Sequence, residues 1–435
     1  MTIAVLTAAL VALGGTARAV PVDLDTTVGT GADSYVRKGN PNDNFGSGNT
    51  ILVKDAGGSS TTRKGYVALD LSGVTGTLTD ATLTLDVTTN NQGGGNPDPK
   101  EFTVEVLGLR DGHPGEGWDE GTITFNNAPA NGPNNVVTGD ALRLGTVAIP
   151  ALSTSTVTFS DTALRSFLNM DSDDRATVIL RRQGGGNGPN LGFASKERAG
   201  FNPPTLTGQA EAGAPLLITT GDGNGADTYV RKGGGQANTN FGGGSQMIIK
   251  DAGGSAYTRK AYTRFDLSPV NLPILDAALL LDVTTNDQGG GGSTPQTQTV
   301  NVWGLADGDP DEAWDEMGIV WGDAPANDTS GEGILANADL LGEFVVRDVA
   351  DQMALFSSQE LVDFLNADTD GLATLILTRE TPSGSWNLGF ATAENDAFMA
   401  PTLRLEVMIP EPATLSLLAL GGLLALRRRR GPQRI

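Results

Sequence analysis

Ten basic residues fall into two matched sets: Arg37, Lys54, Arg63, Lys64 and Arg182 early in the chain, and Arg231, Lys250, Arg259, Lys260 and Arg379 later. They sit on a strongly acidic chain, with 51 Asp and Glu against 29 Lys and Arg and a formal net charge of −22. A guanidinium binds a carboxylate or sulfate bidentately and an ammonium acts as a point charge. Clustered together, such residues suit an acidic sugar polymer. The competing reading makes each one a structural ion pair, with Asp33/Asp227, Asp55/Asp251 and Asp70/Asp266 as partners, or an edge-strand charge that blocks sheet-to-sheet pairing. The acidic body itself repels nucleic acid, so no nucleic-acid partner is expected.

Other side chains offer other chemistry. Asp119-Glu120 and Asp315-Glu316 have the residue types of an acid/base pair for glycoside cleavage. Neighbours on a strand point to opposite faces, however, so the two would not serve one bond, and no enzyme is expected. Asp222, Asn224 and Asp227 place oxygen ligands at short spacing on a Gly-containing loop, a candidate for structural calcium or, more plainly, a turn. No other cofactor is expected. The chain has no Cys and a single His, His113, which excludes thiolate sites, disulfides and multi-His metal centres. Trp118 and Trp314 are flat enough to stack on a sugar ring, but their setting favours core packing.

What positions all these residues is a duplicated unit. KDAGGS at Lys54–Ser59 returns at Lys250–Ser255, and LDVTTN at Leu85–Asn90 returns at Leu281–Asn286, both at an offset of 196. The outer matches are YVRKG (Tyr35–Gly39 and Tyr229–Gly233), WDE (Trp118 and Trp314), APAN (Ala128 and Ala324) and NLGFA (Asn190 and Asn387). A unit of this size is a domain, not a solenoid repeat. Copy one is assigned to residues 24–210 and copy two to 216–407, joined by a linker of small residues at Gly208–Pro215.

Within copy one, short apolar and β-branched runs alternate with Gly, Asn, Asp and Pro clusters: ILVK, YVALDL, ATLTLDV, FTVEVLGL, TITF, LGTVAI, STVTF and ATVILR. Period-two alternation, with Leu83, Leu85 and Val87 inward, marks strands with one buried face. Many such strands predict an all-β chain of two tandem β-sandwiches of jelly-roll type. One short helix per copy is expected, at Asp161–Asn169 behind Ser160 and at Glu360–Asn366 behind Ser358.

The ends read as targeting segments. Residues 1–19 carry an apolar run closing on an A-x-A site, the form of a signal peptide. Residues 409–435 carry Pro410-Glu411-Pro412, a 14-residue apolar run and Arg427, Arg428, Arg429 and Arg430. The run is short for a membrane span and the Arg cluster fits the cytoplasmic side, so a transient anchor is expected. The arrangement resembles a PEP-CTERM sorting tail. That resemblance implies an exosortase-type processing enzyme as partner and delivery to the cell surface or extracellular matrix.

The repeats also carry an ordered set of motifs: ADSYVRKG, NFG, RKGYVALDLS, TLTLDV, VEVLGL, WDEGTITFNNAP and GFASKE in copy one, and DTYVRKG, RKAYTRFDLS, WDEMGIVWGDAP and GFATAE in copy two. This order resembles the DNRLRE family, named for disaggregatase-related proteins, which includes carbohydrate-binding modules attached to enzymes acting on acidic polysaccharides such as alginate. The resemblance implies a β-sandwich that binds extracellular polysaccharide and has no catalysis of its own. The family's closing FAS-R-E pattern is altered here, with Lys196 and Ala393 at its basic position. The alternatives are a structural protein of the extracellular polymer layer that binds no glycan and, third, a polysaccharide lyase or hydrolase.

Overall fold

The structure, a computed structural model, describes residues 19–91, 98–133, 136, 139–183, 190–253, 255–287, 296–330, 333–346, 352–379 and 386–409. The signal and sorting segments lie outside the described residues. Among the described residues, no helix is long and apolar enough to cross a membrane.

Copy one folds as β1 (Val20–Asp25), β2 (Ala32–Arg37), β3 (Thr50–Val53), β4 (Arg63–Asp70), β5 (Thr77–Asn91), β6 (Phe102–Leu109), β7 (Ala141–Ile149), β8 (Ser155–Phe159), α1 (Thr162–Asn169), β9 (Arg175–Gln183), β10 (Asn190–Ala194) and β11 (Thr205–Glu211). Copy two repeats the series as β12 (Gly213–Thr219), β13 (Ala226–Arg231), β14 (Gln246–Ile249), β15 (Arg259–Asp266), β16 (Ile274–Asp287), β17 (Gln298–Leu305), β18 (Ala338–Val346), β19 (Gln352–Phe356), α2 (Gln359–Ala367), β20 (Leu372–Arg379), β21 (Asn387–Ala391) and β22 (Thr402–Met408).

In each copy two antiparallel sheets face one another. The first has the order β1-β11-β5-β10-β3 with β8 also on β5, and the second the order β2-β4-β9-β6-β7. Leu83, Leu85, Phe193 and Leu206 of one sheet share a single core with Val67, Leu69, Val104 and Leu180 of the other, as the alternation requires. Copy two matches, with β12-β22-β16-β21-β14 over β13-β15-β20-β17-β18.

The second sheet is covered on its outer face as well. Trp118, Tyr66, Leu109, Ala128 and Ile179 form a second apolar layer under the connection from β6 to β7. The Trp118 indole donates to Thr177 Oγ1 at 3.0 Å and the Tyr66 hydroxyl donates to the Pro129 carbonyl at 3.1 Å. The sheet that carries Arg37, Arg63, Lys64 and Arg182 is thus packed on both faces.

Three expectations are corrected. TITF is a turn, not a strand: Thr122 and Ile123 donate their N–H to the Asp119 carbonyl, and Thr124 donates to Asn127 Oδ1. The linker is also absent as such. Gly208 lies inside β11 opposite Ala81, and Gly213 opens β12 opposite Met408, leaving Ala212 alone between two paired strands. The helix of copy one starts one residue later than expected, capped by Asp161, whose side chain accepts from Ala163 N; in copy two Ser358 is the cap as expected.

Candidate functional site

Four of the five retained basic residues in each copy meet at one end of the sandwich. Arg37 on β2 is in register with Arg63 on β4. Lys54, just past β3 of the facing sheet, forms an isolated bridge with Arg63 through hydrogen bonds of 3.1 and 2.9 Å. Arg182 lies two residues beyond the Gly65–Leu180 pair that joins β4 to β9, beside Arg63. Copy two repeats the set, with Arg231 opposite Arg259 and Lys250 bridged to Arg259. Burial first, then Arg63, Arg182 and Arg37, hold the Lys54 ammonium below its ordinary pKa. Lys250 is lowered in the same way by burial, Arg259, Arg379 and Arg231.

Of the acids expected to pair with these cations, Asp70 and Asp33 are engaged elsewhere, whereas Asp55 and Asp251 act electrostatically on Arg182 and Arg379. Asp70 accepts from Ser72 and from Thr30 N, and Asp33 from Thr26 and from Lys196 N. Asp55 Oδ1 accepts from Gly57 N at 2.9 Å. Arg63 donates to Asn190 Oδ1 at 3.2 Å and Arg259 to Asn387 Oδ1 at 2.7 Å, both neutral acceptors. Among the described residues no carboxylate forms an ion pair with Arg37, Lys54, Arg63, Arg231 or Arg259, and the Nε of Arg37, Arg63 and Arg259 has no hydrogen-bond partner. Like charges placed side by side and partly desolvated are costly to a fold.

Lys64 and Lys260 do not belong to this cluster. Being one residue along β4 and β15, they point to the other face, where each is 1% exposed. Lys64 Nζ donates to Asn131 Oδ1 at 2.5 Å and to the Gly132 carbonyl at 2.7 Å, and Lys260 bonds Asn327 Oδ1 and the Gly333 carbonyl. Ala130 and Ala326 take a left-handed φ of 50° just before these Asn residues. The APAN repeat is therefore a loop lock closed by a buried lysine. Burial, followed by Arg181 and Lys38, pushes Lys64 down to about 7.

The aromatic residues also sort by face. Trp118 and Trp314, at 8% and 7% exposed, are core. Sequence reasoning passed over Tyr257, which is 55% exposed and lies against two cations of the copy-two cluster, 5.0 Å from Arg231 and 5.9 Å from Lys250. Copy one has Thr61 at that place and instead sets Arg182 over Phe102 at 4.7 Å. An unmatched aromatic directly before the matched Thr-Arg-Lys run was the available signal.

The three residues expected to hold calcium are engaged in separate contacts. Asp222 accepts from Thr219, the Asn224 amide donates to Asp266, and Asp227 turns inward to Thr220 and Ala393 N. Asp227 lies instead with Glu316 and Glu394, as Asp33 does with Glu120 and Glu197. Burial, only partly offset by these hydrogen bonds, raises both Asp33 and Asp227 to about 7. Glu120 is consequently a structural group: it accepts from Asp33 N and pairs with Lys196, while Asp119 is exposed in the adjoining turn. The carboxylate pairs thus serve loop structure.

The profile of carbohydrate-binding module family 96 matches residues 25–209 and again 223–406. The chain belongs to that family. The family assignment supports a pair of carbohydrate-binding modules. No curated relative matches the sequence. Among solved structures, PNGase F, a glycosylasparaginase from Flavobacterium meningosepticum, aligns at a TM-score of 0.28 and 10% identity, covering 82% of this chain and 99% of that one. A peptide-N(4)-(N-acetyl-β-D-glucosaminyl) asparagine amidase aligns at 0.28 and 8%, with the same coverage, and PNGF-II at 0.27 and 10%, covering 86% and 65%. Scores this low carry no argument about fold or activity.

Proposed function

We propose that this family 96 protein holds an acidic polysaccharide in the two cationic ends of its sandwiches, without cleaving it. The observation that carries the reading is the Arg37–Lys54–Arg63–Arg182 cluster, repeated as Arg231–Lys250–Arg259–Arg379. Sugar carboxylates or sulfates fit a set of guanidinium groups flanked by neutral amide oxygens. Two such sites on one chain raise the avidity for a long polymer without any new contact. Tyr257 adds a stacking face to the second site. The test is migration of the full chain through gels carrying alginate, pectate or neutral glucan, at low and moderate salt. Retardation on the acidic polymers that weakens with salt is expected. Equal migration in all gels would move the protein to a spacer role in the polymer layer.

The chain further reads as a surface or matrix protein. Support comes from the apolar run ending in an A-x-A site and from Pro410-Glu411-Pro412 with Arg427–Arg430, the parts of an exosortase-processed tail. The expected outcome is an extracellular form whose intact mass lacks both ends. An extracellular form that keeps the tail would contradict it.

A further inference from the structure

We infer that copy two holds a divalent cation, calcium by its donor set, between Asp227, Glu316 and Glu394, at the place where copy one inserts the ammonium of Lys196. The three carboxylates have oxygens within 4.8 Å of one another. Asp227 is fully buried, and its Oδ2 is taken up by Thr220 Oγ1 at 2.5 Å and Ala393 N at 2.9 Å. Its Oδ1 is buried and has no hydrogen-bond partner among the described residues. A buried carboxylate oxygen left in this state is costly unless a cation or proton meets it.

In copy one Asp33 Oδ1 is likewise buried without a hydrogen-bond partner among the described residues, and a cation stands at the same carboxylate group. The matching carboxylates Asp33, Glu120 and Glu197 are drawn together in the same way. There Lys196 Nζ stands 2.5 Å from Glu120 Oε2 and 3.1 Å from the Gly31 carbonyl, a positive charge held by oxygens. In copy two Ala393 takes the place of Lys196, while all three carboxylates persist and Gly225 matches Gly31.

A second change of a basic residue makes the contrast sharper. Copy one uses Arg175 of β9 to hold the carbonyls of Glu116, Thr30 and Trp118. Copy two lacks that residue but supplies Arg264 from β15 to the matching carbonyls of Glu312, Asn224 and Trp314. Burial raises the Glu316 carboxyl above its ordinary range, and Arg264 offsets this only in part, its hydrogen bonds being those to the carbonyls. One lost cation was thus replaced from a neighbouring strand; among the described residues the lost Lys196 was not. Hard carboxylate and carbonyl oxygens, with no His or Cys near, select calcium or magnesium over softer metals. The half-open setting, with Glu394 exposed, suits the larger and more flexibly coordinated calcium.

The experiment is calorimetric titration of the chelator-treated full chain with calcium chloride. Ala393→Lys supplies the ammonium that copy one already has, and Lys196→Ala removes it from copy one. The expected stoichiometry falls by one calcium per chain in Ala393→Lys and rises by one in Lys196→Ala. Glu394→Gln, which adds no bulk, decides the matter if the lysine variant melts early: it should weaken the same site about tenfold or more. Absence of calcium binding to the wild-type chain, or a count unchanged by both Ala393→Lys and Glu394→Gln, overturns the inference.

Discussion

At the scale of single residues, adjacent basic side chains have opposite fates. Arg63 and Lys64 are chain neighbours and both recur in copy two, yet strand alternation sends one to the sandwich mouth and the other into a buried loop lock. Retention between copies identified both; only the face separates them, and the face was readable from Val67 and Leu69 further along β4. Tyr257→Ala should weaken binding to an acidic polymer a few-fold while leaving its dependence on salt unchanged, because the ring carries no charge. Affinity measured at three salt concentrations checks this; a shallower salt slope would contradict it. The buried acids give a pH prediction. Asp33 and Asp227, raised from 3.8 to about 7, bind protons in the folded state that the unfolded chain has already lost. Their contribution to stability is therefore full below about pH 4 and is lost as pH rises through about 7. In calcium-free buffer, denaturant midpoints should fall over that interval, and Asp227→Asn should flatten the fall. An equally steep fall in the variant would count against the burial argument.

At the scale of elements, hydrophobic alternation made the long central strands legible, as in β5, where Leu83, Leu85 and Val87 enter the core. It failed where hydrogen bonds to turn residues outweigh β-propensity. TITF is β-branched, but Asp119 and Asn127 accept its N–H groups and fold it into a turn. The small residues at the domain boundary were misread for a related reason. A Cβ on Gly208 would stand 2.3 Å from the Asp80 carbonyl oxygen and one on Gly213 2.1 Å from Thr77 Oγ1, so these glycines serve close approach between strands, not flexibility. The same device seats the helices. A Cβ on Gly304 of β17 would lie 2.6 Å from the Phe364 ring of α2, and one on Gly108 2.4 Å from Phe167 of α1. Gly304→Ala should cost about 1–3 kcal/mol through overpacking. Chemical denaturation measures this directly, and a neutral outcome would mean α2 is not tightly seated.

At the scale of the whole molecule, the two sandwiches are joined through a buried polar seam. Arg165 of α1 meets Asp276 of β16 at 2.7 Å, both nearly buried, and Ser166 and Asn169 donate to the same carboxylate at 3.0 Å. Thr77 donates to Glu406 at 2.9 Å, and Glu406 in turn pairs with Arg404 at 2.6 Å. Leu280 and Leu355 of copy two complete the copy-one core. None of this was legible from the repeat, because comparison of copies highlights what they share. Arg165 matches Val362, and interface residues must differ between copies that meet through different faces. Asp276→Ala leaves a buried guanidinium unpaired and should cost about 3–5 kcal/mol. Differential scanning calorimetry would then resolve two transitions where the wild type has one; a single unshifted transition would show that the seam does not couple the domains.

The central claim, that the cationic ends bind acidic glycan, is tested most directly by comparing two double variants in an alginate gel. Arg63→Ala with Arg259→Ala empties the centre of both clusters, whereas Lys64→Met with Lys260→Met alters the neighbouring lysines that face the other way. The account predicts that the arginine pair abolishes retardation and that the lysine pair, where it folds, leaves retardation at the wild-type level. Retardation lost only in the lysine pair, or kept in the arginine pair, would contradict it.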